Sequence, residues 1–241
     1  MSKNSSLEDT AVGYNDEKCK QIDQGIEECY SDIINIINEE ITNTVVQPIS
    51  KAWYAEDAVE YMEEFKMKTA NISDDINHIF QNFRDQMQSD IENWNVQTKN
   101  TGGTQLADVS QKQVEIDVSA MQPVDGEGNR YISNTIESDI NVWTAECLKN
   151  VGTRGAQVIA DHSIGSYIGE KQNDAANNAL VEVLASVEGV LDYLTVGDNA
   201  IVVVIAEKRQ SYVSTAQTNT QNTESKDYAA GADVTGGADD N

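Results

Sequence analysis

The sequence is poor in the residues from which most catalytic and metal sites are built. His78 and His162 are the only histidines, which leaves little material for acid–base or metal chemistry. Cys19, Cys29 and Cys147 form an odd set without a close pair, so neither a disulfide framework nor a zinc site is signalled and a reducing compartment is expected. Basic residues are scarce too: 16 Lys and Arg stand against 41 Asp and Glu, a net charge of −25. That charge repels phosphate backbones and anionic head groups, so neither direct nucleic-acid binding nor a membrane surface is expected. Long apolar runs are also missing. The longest, Ala200 to Ala206, is far too short to cross a bilayer, and the opening MSKNSSLEDTAVG lacks the apolar stretch of a signal peptide. A cytoplasmic or virion-associated location follows, with non-classical secretion as the route left open. With 39% apolar and 6% aromatic residues, a core requires the apolar positions to be gathered into stripes.

Stripes are what the chain contains. From Lys18 onward, Ile22, Ile26, Cys29 or Tyr30, Ile33, Ile37, Ile41 and Val45 recur in steps of three and four, the period of an amphipathic helix. Pro48 lacks a backbone donor and disfavours helical geometry in the residue before it, so this helix is expected to stop near Val46-Gln47. A second stripe runs through Ala58, Met62, Phe65, Thr69, Ile72, Ile76, Ile79 or Phe80, Phe83, Met87, Ile91 and Trp94, a near-heptad pattern without Gly or Pro. A short connection between two long stripes predicts an antiparallel hairpin over residues 18–99, with the stripes facing each other.

Residues 100–135 lose the periodicity, and Thr101-Gly-Gly-Thr, Pro123 and Asp125-Gly-Glu-Gly-Asn carry turn chemistry. Val114, Ile116 and Val118 alternate with polar residues there, which suits a short β element or an extended arm that needs a partner. Helical period returns through Ile136, Ile140, Trp143, Cys147 or Leu148 and Val151, pauses at Gly152 and Gly155, and resumes at Val158 and Ile159. After a small-residue corner it continues through Ala176, Leu180, Val183 or Leu184, Val187, Leu191 and Leu194, so residues 136–212 read as a second hairpin module. Ile201-Val-Val-Val-Ile suits either a further helix or a buried strand. Residues 1–17 and the acidic tail 213–241, rich in Ser, Thr, Asn, Gln, Gly and Asp, hold too little apolar surface to order themselves and are expected to be flexible. The expected fold is therefore mainly α, built from elongated antiparallel helical hairpins.

At the first corner the chain reads Trp53-Tyr-Ala55-Glu-Asp-Ala58-Val-Glu-Tyr61. This resembles the Trp-x-Gly helical-hairpin family, the small proteins exported by type VII secretion systems, in which a Trp is followed by Gly two residues on, a small residue five on and an aromatic eight on. The resemblance covers roughly residues 18–99. It implies a tight turn plugged by Trp53, with Ala58 allowing close helix approach and Tyr61 in the pattern's aromatic position. Ala55 departs from the family's Gly, which requires a negative φ there. None of the nine tyrosines is followed four residues later by Asp or Glu, so the family's export signal is missing. At the second corner, Tyr167-Ile-Gly169 repeats the aromatic-x-small arrangement, which suggests two diverged copies of one hairpin.

Other motifs give no constellation. Asp161-His162-Ser163 contains triad letters, but sequence neighbours cannot converge their side chains as a triad must. Gly126-Glu-Gly-Asn-Arg lacks the third glycine of a dinucleotide loop, and Arg130 and Ile136 occupy the places of the turn glycine and final acid of a calcium loop. Acidic pairs such as Glu39-Glu40 and Asp74-Asp75 diverge by about 100° around a helix and suit solvated faces. Trp94 and Trp143 fall on apolar stripes and suit core roles, and His78 suits a surface. No catalytic residue, cofactor or metal is expected. The chain reads as a non-catalytic structural or assembly subunit, for example of a bacteriophage particle or a secretion machine, acting through helix–helix interfaces. Its partners are expected to be proteins, either further copies or other subunits. A type VII secreted hairpin partner or effector is the alternative, and an enzyme of unrecognised type the third reading.

Overall fold

The computed structural model describes residues 16–162 and 170–234. The chain is mainly α. Its elements are α1 (Asp16–Glu40), a π-helical turn (Ile41–Val46), α2 (Gln47–Ala52), β1 (Trp53–Tyr54), α3 (Glu56–Thr98), β2 (Tyr131–Ile132), α4 (Ile136–Asp161), α5 (Glu170–Thr195) and α6 (Ile201–Val234). Two-residue β1 and β2 pair antiparallel, Trp53 opposite Ile132 and Tyr54 opposite Tyr131. None of the described helices is long and apolar enough to cross a membrane.

Pro48 does not end the first helix, contrary to expectation. Val46 and Gln47 both keep right-handed helical angles, and Pro48 sits in the first turn of α2. The wide turn just before it supplies the physical reason. The Gln47 N–H bonds back to the Thr42 carbonyl, an i→i−5 pattern that shifts the hydrogen-bond register immediately ahead of the residue that cannot donate. Helical backbone thus runs from Asp16 to Ala52, and the corner falls at Trp53–Ala55.

Helices α1, α4, α5 and α3 pack in that order: α1 on α4, α4 on α5, and α5 on α3. Direct contact between α1 and α3 is much slighter, although Tyr30 stacks on Phe80 with ring centroids 4.8 Å apart. The buried cluster draws on all four helices, and the stripes of α1 and α3, expected to face each other, pack chiefly on α4 and α5 instead. Helix α1 buries more than the single predicted stripe, adding Ile34 and Ile36 to Ile33 and Ile37, because it faces two neighbours. The pause expected at Gly152 and Gly155 is no break. Helix α4 runs through both, and a Cβ on Gly155 would lie 2.7 Å from Leu180 Cδ1, so the glycine permits close approach of α5.

Residues 201–206 are helical. Ile201 and Ile205 are buried one turn apart where α6 lies against α4 and α5, so packing overrides the strand preference of the β-branched run. Gly197 turns the chain into this helix at φ +93, a conformation natural to glycine. Helix α6 then continues to Val234, past the boundary at 212 from which the sequence suggested a tail unable to order itself. Its described side chains from Gln210 to Thr218 are exposed, so that stretch is helical without resting on the core.

Candidate functional site

The sequence pointed to the corner, and four of its six residues meet there. Trp53 is completely buried, its ring centroid 5.8 Å from that of Tyr61, and Ala58 is fully buried on the first turn of α3. Ala55 has φ −165 and ψ 158, extended backbone open to any residue, so no glycine is required at this position. Tyr167 and Gly169 lie outside the described residues.

Later parts of the chain then cover this corner. Ser133 N–H donates to the Ala52 carbonyl at 2.8 Å and the Tyr131 hydroxyl to that of Lys51 at 3.2 Å, while the Tyr54 and Tyr131 rings lie 5.1 Å apart. The β element of the linker is thus Tyr131–Ile132 rather than Val114–Val118. From α6, Lys208 pairs with Asp57 and stands 5.8 Å from the Tyr61 ring centre. Arg209 donates to the Ser133 carbonyl at 2.5 Å and pairs with Glu137 at 2.9 Å. Among the described residues, the buried donors Trp53 Nε1 and Arg209 Nε have no hydrogen-bond partner. Both packing and polar contacts therefore hold the node, with these two donors left over.

The second site escaped the sequence reading. Within the aperiodic stretch 100–135, residues 104–121 form an extended arm that lies along the seam between α1 and α3. Leu106, Val114, Ile116, Val118 and Met121 point into the core. Alternation put Val114, Ile116 and Val118 on one side of the arm, but among the described residues the arm's backbone pairs with no strand. Its N–H groups donate instead to helix side chains. On the α3 side, Leu106 donates to Gln88, Val109 to Gln81, Lys112 to Asn77 and Val114 to Ser73, at 2.8 to 3.1 Å. On the α1 side, Ser110 donates to Glu27, Lys112 also to the Tyr30 hydroxyl, Glu115 to Asn38 and Asp117 to Thr42, again at 2.8 to 3.1 Å. Asn77 closes a two-way pair by donating to the Lys112 carbonyl at 3.3 Å, as a neighbouring strand would. Arg84 Nε donates to the Ala107 carbonyl at 2.6 Å.

The order of these contacts makes the arm parallel to α1 and antiparallel to α3. Ser73, Asn77, Gln81, Arg84 and Gln88 follow one another in steps of four, four, three and four. They form a polar stripe of helical period beside the apolar one. That spacing was the available signal, but in sequence it cannot be distinguished from a solvated face. What the seam does chemically is capture extended backbone, because its acceptors meet peptide N–H groups and would meet the same groups in any extended segment.

Electrostatics follow the contacts. Burial pushes the Asp23 carboxyl up, and the Ala107 N–H and Arg84 only partly oppose it. Burial also acts on Glu27, but there the bonds from Lys112 and Ser110 outweigh it and the pKa falls below the ordinary value. At the interface of α1 with α4, Glu40 is likewise desolvated yet lowered, because Arg154 at 2.7 Å, Asn150 at 3.0 Å and Thr44 at 3.1 Å all donate to it. Burial, reinforced by Asp32 and Glu40 respectively, pushes the Cys29 and Cys147 thiols up to about 12, which keeps them protonated and unreactive near neutrality. His162, of the triad-like tripeptide, meets Asp32 at 2.9 Å and Glu28 at 3.6 Å and ties the end of α4 to α1. His78 is exposed and bonded to the Asp74 carbonyl. Among the described residues no group of three or more His, Cys, Asp and Glu is placed to hold a metal ion. In comparisons with known protein families, with curated proteins and with solved structures, the chain matches none.

Proposed function

We propose that this protein is a non-catalytic structural subunit of a larger protein assembly, such as a bacteriophage particle or a secretion machine, and that it works through helical surfaces presented to further copies or other subunits. Helix α6 carries the reading. It is anchored by Ile201, Ile205, Lys208 and Arg209, then continues to Val234 with its described side chains beyond Arg209 exposed. A helical stretch exposed on all its described sides gains little from its own chain, since most helical stability in proteins comes from packing a face. A neighbouring subunit supplies such packing.

The test is native mass measurement over a concentration series, on the whole chain and on a chain ending at Gln210. The whole chain is expected to populate oligomers that the shortened chain forms less readily. Strictly monomeric behaviour of the whole chain at every concentration would overturn the reading. A second reading, a type VII secreted hairpin, draws support from the packing of Trp53 on Tyr61. It predicts that inactivating the secretion ATPase retains the protein inside producing cells, and an unchanged distribution sinks it.

A further inference from the structure

We infer that the seam between α1 and α3 is an exchangeable docking site, and that a second copy of this chain joins the first by lending residues 104–121 to it. The inference rests on the assembly reading above and supplies that reading with a partner and an interface. Three observations carry it.

First, the seam is incomplete without the arm. Helices α1 and α3 meet directly over little of their length, and Val114, Ile116 and Val118, all under 6% exposed, fill the gap between them. Second, the contacts identify their occupant. The acceptors on both helices bond main-chain N–H groups, which any extended segment offers, while the register of Leu106, Val114, Ile116, Val118 and Met121 against those acceptors belongs to this sequence. A second copy carries that register and an unrelated peptide does not. Contacts made in trans repeat those made in cis, so exchange carries little cost beyond association.

Third, the arm is joined to the rest of the fold by two connectors long enough to carry it to a neighbouring seam. It is preceded by residues 99–103, which include Gly102 and Gly103, and followed by 122–130, and neither stretch contains helix or strand. Fully extended they reach about 17 Å and about 30 Å, at about 3.4 Å per residue. Two seams facing each other across a two-fold axis along the bundle stand about one helix diameter apart, on the order of 10 Å, and keep the arm's direction unchanged. Each copy carries a charge of −25, so repulsion opposes exchange at low salt and screening promotes it.

Single-cysteine copies decide the matter. One copy carries Asn38→Cys and the other Glu115→Cys, positions joined by a 2.8 Å bond from the Glu115 N–H. They are mixed at high concentration and moderate salt, then treated with a short bifunctional maleimide. The native cysteines Cys19, Cys29 and Cys147 are buried, so linkage reports the introduced pair. Exchange predicts covalent dimers several-fold above those from Asn38→Cys mixed with Val142→Cys, whose site on α4 is exposed and away from the seam. Thr42→Cys with Asp117→Cys gives a second pair, in case either first variant weakens the fold. Dimer yields equal to the control for both pairs, with doubly substituted chains linking only within monomers, would overturn the inference. Native mass of the unlinked protein separates the two failures: oligomers without cross-linked dimers defeat exchange and leave assembly standing, and monomers alone defeat both.

Discussion

Trp53 is the largest side chain that the described fold buries completely, and its indole N–H has no partner. These two facts act in opposite directions. Truncation to Ala removes a bulk that nothing else at the corner can replace, and it should destabilise by about 3 to 5 kcal/mol. Trp53→Phe keeps much of that bulk and deletes a donor whose burial unpaired costs about 1 to 3 kcal/mol, so it should cost distinctly less than Ala. Urea unfolding of the three proteins checks both statements. A loss under about 1 kcal/mol for Ala would mean that Trp53 does not plug the corner. Residues 53, 55, 58 and 61 were legible in the sequence because a corner motif is local. What covers them was not, because Lys208, Arg209 and Tyr131 stand far along the chain and nothing in their neighbourhoods names a target.

At the scale of elements, the arm separates two kinds of acceptor. Ser73 receives the N–H of fully buried Val114, whereas Asn38 receives that of exposed Glu115. Water can replace Asn38 but not Ser73. Ser73→Ala should therefore cost about 1 to 3 kcal/mol, and Asn38→Ala less than about 1 kcal/mol. Hydrogen exchange at the Val114 and Glu115 amides provides the check: the first substitution should speed exchange along the arm, the second should act on Glu115 alone. Equal effects from both would mean that the arm is held by its apolar side chains rather than by its backbone bonds. Alternation of Val114, Ile116 and Val118 was enough to predict extension. It was not enough to identify the partner, since side chains rather than a strand receive the arm. Pro48 makes a similar point. Its own chemistry predicted a stop, and only the hydrogen-bond shift of the preceding π turn lets helix resume around it.

For the whole molecule, the dominant electrostatic facts are the charge of −25 and the few cations that organise it. Arg154 bridges from α4 to Glu39 and Glu40, and Lys112 from the arm to Glu27. Glu40 and Glu27 have folded values below their ordinary 4.5. The stability that they contribute is therefore complete above pH 4.5 and lost as pH falls through the lowered folded values. Asp23 is raised and works the other way, gaining as pH falls. Glu40→Gln should flatten the loss of unfolding free energy below pH 4.5 relative to the natural chain, while lowering stability near neutrality. An unchanged acid slope in denaturant titrations would show that the junction of α1 with α4 does not depend on this carboxylate.

By itself the sequence determined helix: two long stripes, a corner at Trp53, an aperiodic arm with one apolar side, and a second striped half. Each is a local pattern of period or turn chemistry, and the fold contains all of them. Tertiary structure alone decided that α1 and α3 pack chiefly on α4 and α5, that the arm fills the seam left between them, and that α6 braces the corner before leaving the bundle. The physical reason is the same in each case. An apolar stripe states that a face must be covered and a polar stripe states that its groups must be satisfied, but neither says by what. Neighbours far along the chain supply the answer.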